Sequence, residues 1–186
     1  TYAFLGKAQY DGFDHKEFVQ KLIPVYNEIL AKLKKLGADW VQIDEPVFAL
    51  DLCPIGQGVI KTAYDRVDKP DGLKILVATY FESLKNNAEL AYGLPVDGIH
   101  IDWCRNTGRA NTTANDPQKD LDQALSLIGD KVLSLGVVDG RNIWKNDISA
   151  SLELVEKAVE KLGKNDVFVA PSCSLLHSPV DLTSET

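Results

Sequence analysis

Trp40-Val41-Gln42-Ile43-Asp44-Glu45-Pro46 is the stretch on which the fold turns. If it is a strand, its period of two puts Gln42 and Asp44 on one face and Val41 and Ile43 on the other. Gly98-Ile99-His100-Ile101-Asp102-Trp103 repeats the arrangement, with His100 and Asp102 opposite Ile99 and Ile101. Polar side chains on one face of a buried parallel strand must be aimed at something polar. In a (βα)8 barrel they line the upper lumen, near the C-terminal mouth where active sites sit.

The rest of the chain fits that frame. Further strands are expected at Tyr2–Leu5, Lys74–Thr79, Val132–Val137 and Val167–Ala170, which makes six. Several are apolar on both faces, as a sheet buried between layers requires. Helical patterns lie between them. One runs from about His15 to Leu36, with Gly37 as its C′ residue and Pro24 as a kink or a late start. A second starts at Asp116 as N-cap with Pro117 at N1, and a third starts near Asp147 and ends at Gly163. Weaker helices are expected around Gly56–Val67 and Asn86–Tyr92. Strands alternating with helices indicate repeated βα units. No G-x-G-x-x-G follows a strand, so a doubly wound dinucleotide site is poorly supported; Gly56-Gln57-Gly58 lacks the third glycine. The expected class is α/β, of the (βα)8 TIM-barrel type.

Composition narrows the function classes. The 186 residues carry 20 Lys+Arg against 27 Asp+Glu, a formal charge of −7. That balance argues against a general affinity for nucleic acid. No apolar run approaches the roughly 18 residues that span a bilayer, and none reads as a signal peptide. With 45% hydrophobic residues the chain has material for a core. Cys53, Cys104 and Cys173 form no C-x-x-C pair, and an odd count fits a reducing, cytoplasmic compartment. There is no Met anywhere, and Thr1 opens inside an apolar segment, so a piece of a longer polypeptide is expected.

Several groups could carry chemistry. Asp44 and Glu45 stand at the end of a buried strand, where paired carboxylates could bind an amine, hold a metal ligand or exchange a proton; the competing reading has Asp44 capping a turn and Glu45 facing solvent. His100 reads as a hydrogen-bonded core residue, and Asp102 as the better site candidate. Arg141, in Asp139-Gly140-Arg141-Asn142, reads as tying its turn to a carboxylate. Arg105 and Arg109 in the polar loop Trp103–Asn115 could meet an anion, though solvated charges are the plainer reading. Cys173 and His177 lie four apart in a loop, which does not fix nucleophile and base as a helix would.

Four of these motifs in register resemble cobalamin-independent methionine synthase. They are Trp40-Val41-Gln42-Ile43-Asp44-Glu45-Pro46, Thr79-Tyr80-Phe81-Glu82, Asp139-Gly140-Arg141-Asn142-Ile143-Trp144 and Ser172-Cys173-Ser174-Leu175-Leu176-His177-Ser178-Pro179. The resemblance is to the N-terminal barrel of that two-barrel family. It implies an incomplete barrel, about strands three to eight, with residues 1–186 forming part of a single domain. It implies a parent that moves a methyl group from 5-methyltetrahydropteroyltriglutamate to homocysteine, with zinc in the C-terminal barrel and folate between the barrels. The partners implied are that barrel and those two substrates.

The resemblance assigns this chain no catalytic residue and no metal ligand. The catalytic barrel takes zinc on His-x-Cys after strand five, a Glu after strand six and a Cys after strand eight. Here the fifth-strand position reads Ala78-Thr79-Tyr80-Phe81-Glu82, the sixth offers the shorter Asp102, and only Cys173 matches. One thiolate and one displaced carboxylate fall short of three protein ligands. His100 and His177 occupy no position the motif uses. Cys173 therefore reads as structural, and Asp44, which matches an Asp that binds the homocysteine amine in the other barrel, as a relic. The candidate cleft residues are Asp44, Glu45, Asp102, Arg141, Cys173 and His177. Two alternatives stay open: a non-catalytic scaffold or binding domain, and a uroporphyrinogen decarboxylase-like barrel. A barrel lacking two strands exposes sheet edges, so low stability is expected of the chain alone.

Overall fold

The computed structural model describes residues 1–7, 11–104, 116–178 and 183, with only the backbone of His177. Among the described residues there are six α-helices and five strands, alternating from α2 onward: α1 (Tyr2–Leu5), α2 (His15–Lys35), β1 (Trp40–Asp44), α3 (Pro54–Asp65), β2 (Lys74–Ala78), α4 (Ala88–Tyr92), β3 (Gly98–Asp102), α5 (Pro117–Leu127), β4 (Val132–Val138), α6 (Ile148–Leu162) and β5 (Val167–Pro171). The strands form one parallel sheet in the order β1-β2-β3-β4-β5. The α/β class with a parallel sheet is therefore observed, with five described strands rather than the six expected.

The missing strand is Tyr2–Leu5, which forms helix α1. The amide groups of Phe4 and Leu5 both bond to the Thr1 carbonyl at 3.0 Å. Four apolar residues are too few to reveal a period, so the run is ambiguous between helix and strand in sequence. Pro24 does not delay the start of the helix: α2 runs from His15 to Lys35 with the proline inside it. The other helix signals appear as expected. Asp14, Asp116 and Asp147 cap α2, α5 and α6 through their carboxylates. Gly37, Gly129 and Gly163 take positive φ where helices end or turn.

Contacts divide the chain into two compact units, Thr1–Thr79 with Leu84–Ile99, and Tyr80–Ser83 with His100–Thr186. In the first, β1 and β2 pair in parallel from Trp40↔Lys74 to Asp44↔Ala78. Its core holds Leu30, Phe48, Ile75, Val77, Leu94 and Ile99. A short 3-10 turn, Pro46–Ala49, comes after β1. Buried Asn87 staples it, donating from Nδ2 to the carbonyls of Phe48 at 2.9 Å and Leu50 at 2.7 Å. Its Oδ1 accepts from Gln57 at 3.1 Å.

In the second unit, α6 packs on β4 and β5 and against α5. Leu121, Ile128, Leu133 and Leu135 are fully buried. Strands β4 and β5 pair in parallel from Leu133↔Val167, and a bulge sets in where Gly136 faces Ala170 and Val138 faces Pro171. The extra residue is Val137. Such a bulge bends a strand and re-aims the side chains beyond it.

Candidate functional site

The two carboxylates after β1 point in different directions. Asp44 is exposed, and its Oδ1 accepts from Gln42 Nε2 at 2.7 Å, so the two do share a face. It caps no turn. Glu45 is half-buried; its carboxylate accepts from the Tyr64 hydroxyl at 3.0 Å and pairs with the Thr1 amino group. Burial pushes the Tyr64 hydroxyl well above the usual phenol range, and the Glu45 charge adds to the shift. Tyr26 is raised by the same two causes in the same order. Glu45 thus serves the helical layer and does not face solvent, which reverses the competing reading of both residues.

The second unit gathers more. His100 is buried at the centre of β3. Its Nε2 lies 3.2 Å from the Ser172 carbonyl and its Nδ1 lies 3.0 Å from Ser134 Oγ. A carbonyl only accepts, so Nε2 carries the hydrogen, and in the neutral ring Nδ1 accepts from the Ser134 hydroxyl. This is the core role expected for His100. Asp102, also buried, accepts from the Cys104 amide at 2.9 Å.

Ser172 is the hub, and sequence reasoning gave it no role. Its amide donates to the Val138 carbonyl at 2.7 Å, and its Oγ accepts from the Gly140 amide at 3.1 Å. Its carbonyl takes the His100 ring. Two glycines make this closeness possible. A Cβ on Gly136 would lie 2.8 Å from the Ile101 carbonyl oxygen and from Ser172 Cα, and one on Gly140 would lie 2.7 Å from the Cys173 carbonyl oxygen. No period or motif marks these contacts, because they join residues far apart in sequence.

The Cys104 thiol donates to the Gly136 carbonyl at 3.3 Å and the Cys173 thiol to the Ser174 carbonyl at 3.7 Å, and both sense the Asp102 and Asp139 charges. Burial first, then the two aspartates, pushes the Cys104 thiol up to about 12. Burial also raises Cys173, with Asp102 and Asp139 adding to it and Ser172 and the Arg141 charge opposing it. Both therefore stand as thiols at neutral pH. Neither environment favours the thiolate, the form that acts as a nucleophile. Among the described residues no group of three or more His, Cys, Asp and Glu side chains could hold a metal ion.

The structure thus brings Asp102, Arg141 and Cys173 into one electrostatic neighbourhood. Among the described residues the Arg141 guanidinium makes no ion pair with a carboxylate. The turn is made by Asp139, which accepts from the Arg141 amide at 2.9 Å and from Asn142 Nδ2 at 2.7 Å. The Arg141 guanidinium instead lies over the Phe81 ring, 5.0 Å from its centroid. His177 ends a 3-10 turn at Leu175–His177, and its side chain lies outside the described residues, as do Arg105, Arg109 and Pro179. No described helix is long and apolar enough to cross a membrane.

Comparison with known proteins sets this geometry in context. Residues 1–163 match the family model described as the N-terminal domain of cobalamin-independent synthase. The chain is 46% identical over 186 residues to a 5-methyltetrahydropteroyltriglutamate–homocysteine methyltransferase of Coxiella burnetii, covering all of this chain and 22% of that protein. It is 46% identical over 190 residues to the enzyme of the same name from Saccharomyces cerevisiae, covering 23% of it. The chain therefore spans about a fifth of the length of these curated relatives. Among solved structures it resembles a B12-independent methionine synthase from Shewanella sp. in complex with selenomethionine, with TM-score 0.69, 13% identity, and coverage of 91% of this chain and 51% of that one. A putative vitamin-B12 independent methionine synthase from Listeria monocytogenes gives TM-score 0.61 at 16% identity, covering 88% and 50%. At those identities the likeness is one of fold.

Proposed function

The chain belongs to the cobalamin-independent methionine synthase family, and from that premise we propose that it is the N-terminal-barrel part of a cytoplasmic methyltransferase. The whole protein moves a methyl group from 5-methyltetrahydropteroyltriglutamate to homocysteine and makes methionine. Residues 1–186 belong to a single barrel domain in this reading. They supply scaffold and one wall of the substrate cleft, and the chemistry belongs to a second, zinc-bearing barrel. The observation that carries this is the match in register, over the whole chain, to enzymes of that name.

The site supports a wall more than a reaction centre. Asp102 accepts from the Cys104 amide, the Cys104 thiol bonds to the Gly136 carbonyl, and burial shifts both thiols toward their protonated form. Beyond them the loops after β4 and β5 expose Ile143, Trp144, Leu175 and Leu176, an apolar surface suited to a partner domain. Zinc, when bound in the partner barrel, would lower the homocysteine thiol's pKa and supply thiolate at neutral pH. The family assignment displaces the uroporphyrinogen decarboxylase-like alternative. The non-catalytic scaffold reading describes this chain within the larger enzyme.

The test is methionine formation from the two substrates. The intact protein should turn over, and the 186-residue chain alone should not. Methyl transfer by the chain alone, or none by the intact zinc-loaded protein, would overturn the reading.

A further inference from the structure

Four Asp-Gly links occur in the chain: Asp11–Gly12, Asp71–Gly72, Asp97–Gly98 and Asp139–Gly140. An aspartate followed by glycine carries a latent reaction. The glycine nitrogen, unhindered by a side chain, attacks the aspartyl Cγ and closes a succinimide ring. The fold decides which links have the freedom to do so.

Two of them are locked. In the first unit, both Asp97 oxygens sit on the Lys69 ammonium, at 2.8 and 2.7 Å, and one also accepts from the Ile75 amide at 2.8 Å. Gly98 is buried in β3. In the second unit, the Asp139 oxygens are held by the Arg141 amide and by Asn142, and the buried Gly140 amide is bonded to Ser172 Oγ. In each link the carboxyl is pinned and the glycine buried, so the reacting atoms meet only after local opening.

Asp71–Gly72, in the first unit, is built the other way. Both residues are exposed. Among the described residues the Asp71 carboxylate has no hydrogen bond or ion pair, and the Gly72 amide has no acceptor. The Leu73 amide bonds to the Pro70 carbonyl at 3.0 Å and Gly72 sits at φ 72°, as at the corners of a type II turn. Lys34 Nζ anchors the turn by donating to the Gly72 carbonyl at 3.0 Å. Buried Leu73 then leads into β2. Asp11–Gly12 is exposed in a turn as well.

We propose that Asp71–Gly72 is a site of isoaspartate formation in the folded protein, and that the product is a substrate for a separate enzyme, a protein-isoaspartate methyltransferase. The Gly72 nitrogen bonds to Cγ of the protonated Asp71 carboxyl. The Cγ–OH bond breaks, and the hydroxyl leaves with the amide proton as water. Water then opens the ring. Its addition at the Asp71 α-carbonyl breaks the bond from that carbon to the Gly72 nitrogen and routes the main chain through Cβ and Cγ. The α-carboxylate set free takes a methyl group from a sulfonium donor, which leaves as a thioether. The rerouted turn carries an extra backbone atom, beside the Lys34 anchor and at the entry to β2.

The test incubates the intact protein for weeks at physiological temperature and mildly acidic pH, native and in urea. Peptide mapping with electron-transfer fragmentation locates isoaspartate, and a purified protein-isoaspartate methyltransferase with radiolabelled S-adenosylmethionine measures it. In the native protein, Asp71 and Asp11 should convert about tenfold faster, or more, than Asp97 and Asp139, whose links must first open. In urea the rates should converge. Asp71→Glu should abolish the signal in the tryptic peptide of residues 67–74, because a glutamyl side chain closes its larger imide far more slowly. Its melting temperature should match the parent, since the site is exposed. Conversion of native Asp71 no faster than that of Asp97 and Asp139, or a signal in residues 67–74 that survives Asp71→Glu, would overturn the site. Failure of the methyltransferase to label the converted peptide would overturn the assignment of its substrate.

Discussion

Gly136 has almost no room to change. An added methyl would press on the Ile101 oxygen and Ser172 Cα, both at 2.8 Å, and on the His100 ring at 2.9 Å. Two of those three atoms are backbone and cannot swing aside. Gly136→Ala should cost about 1–3 kcal/mol, in the range of overpacked cores, read as a lower denaturant midpoint. A variant as stable as the parent would show that the β3–β4–β5 exits yield more readily than this packing allows. The thiols give a second prediction at this scale. Because Cys104 and Cys173 are raised, their thiolate fractions at neutral pH lie below that of a free cysteine. Iodoacetamide should label both slowly at pH 7 and faster as pH rises, with Cys173 ahead of the more deeply set Cys104. The linkage has a definite sign. Cys104 is held protonated in the folded state, so its contribution is complete below the unfolded thiol's range and fades as pH climbs from about 9 toward about 12. Fast labelling of folded Cys104 at neutral pH would contradict its environment.

At the scale of elements, the caps and the Asn87 staple set local stability. Asp116→Ala and Asp147→Ala each remove a carboxylate that accepts from the first turn of a helix, and each should cost about 1 kcal/mol. Asn87→Ala strands the carbonyls of Phe48 and Leu50, and the loss should reach about 2 kcal/mol or more. Chemical denaturation of the three variants checks both statements, and near-equal losses would mean that the staple is no stronger than a surface cap. The caps were legible in sequence because Asp-Pro before α5 and Asp before the apolar period of α6 are local signals. Strands β2 and β4 were legible as short Val/Ile/Leu-rich runs, and β1 and β3 by the alternation of apolar and polar residues along them. Tyr2–Leu5 was misread because four apolar residues show no period. Asn87, Ser172, Gly136 and Gly140 were not legible in their roles, since each role lies in contacts with residues 30 or more positions away. The site was legible only as far as strand ends mark a mouth. Asp102 and Cys173 were singled out that way as candidates, while the direction of Glu45 and the partner of Arg141 depend on packing.

At the scale of the molecule, the apolar surface after β4 and β5 calls for a cover. Trp144 is 68% and Leu176 82% exposed. If a second barrel covers them, Trp144→Glu should weaken association of this chain with that barrel, supplied in trans, by about tenfold, as loss of a buried aromatic anchor does. Unchanged association would place the interface elsewhere. The sheet itself has a consequence of another kind. Each described pairing within a unit joins strands the same distance apart: thirty-four positions separate Trp40 from Lys74, and thirty-four separate Leu133 from Val167. Neither of these described pairings waits for a partner from the far end of the chain. A polypeptide leaving the ribosome could close β1 on β2 as soon as Ala78 clears the exit tunnel, and later repeat the event with β4 and β5. Near-neighbour closure of this sort keeps loop entropy low and shortens the time that bare strand edges stay open to other nascent chains.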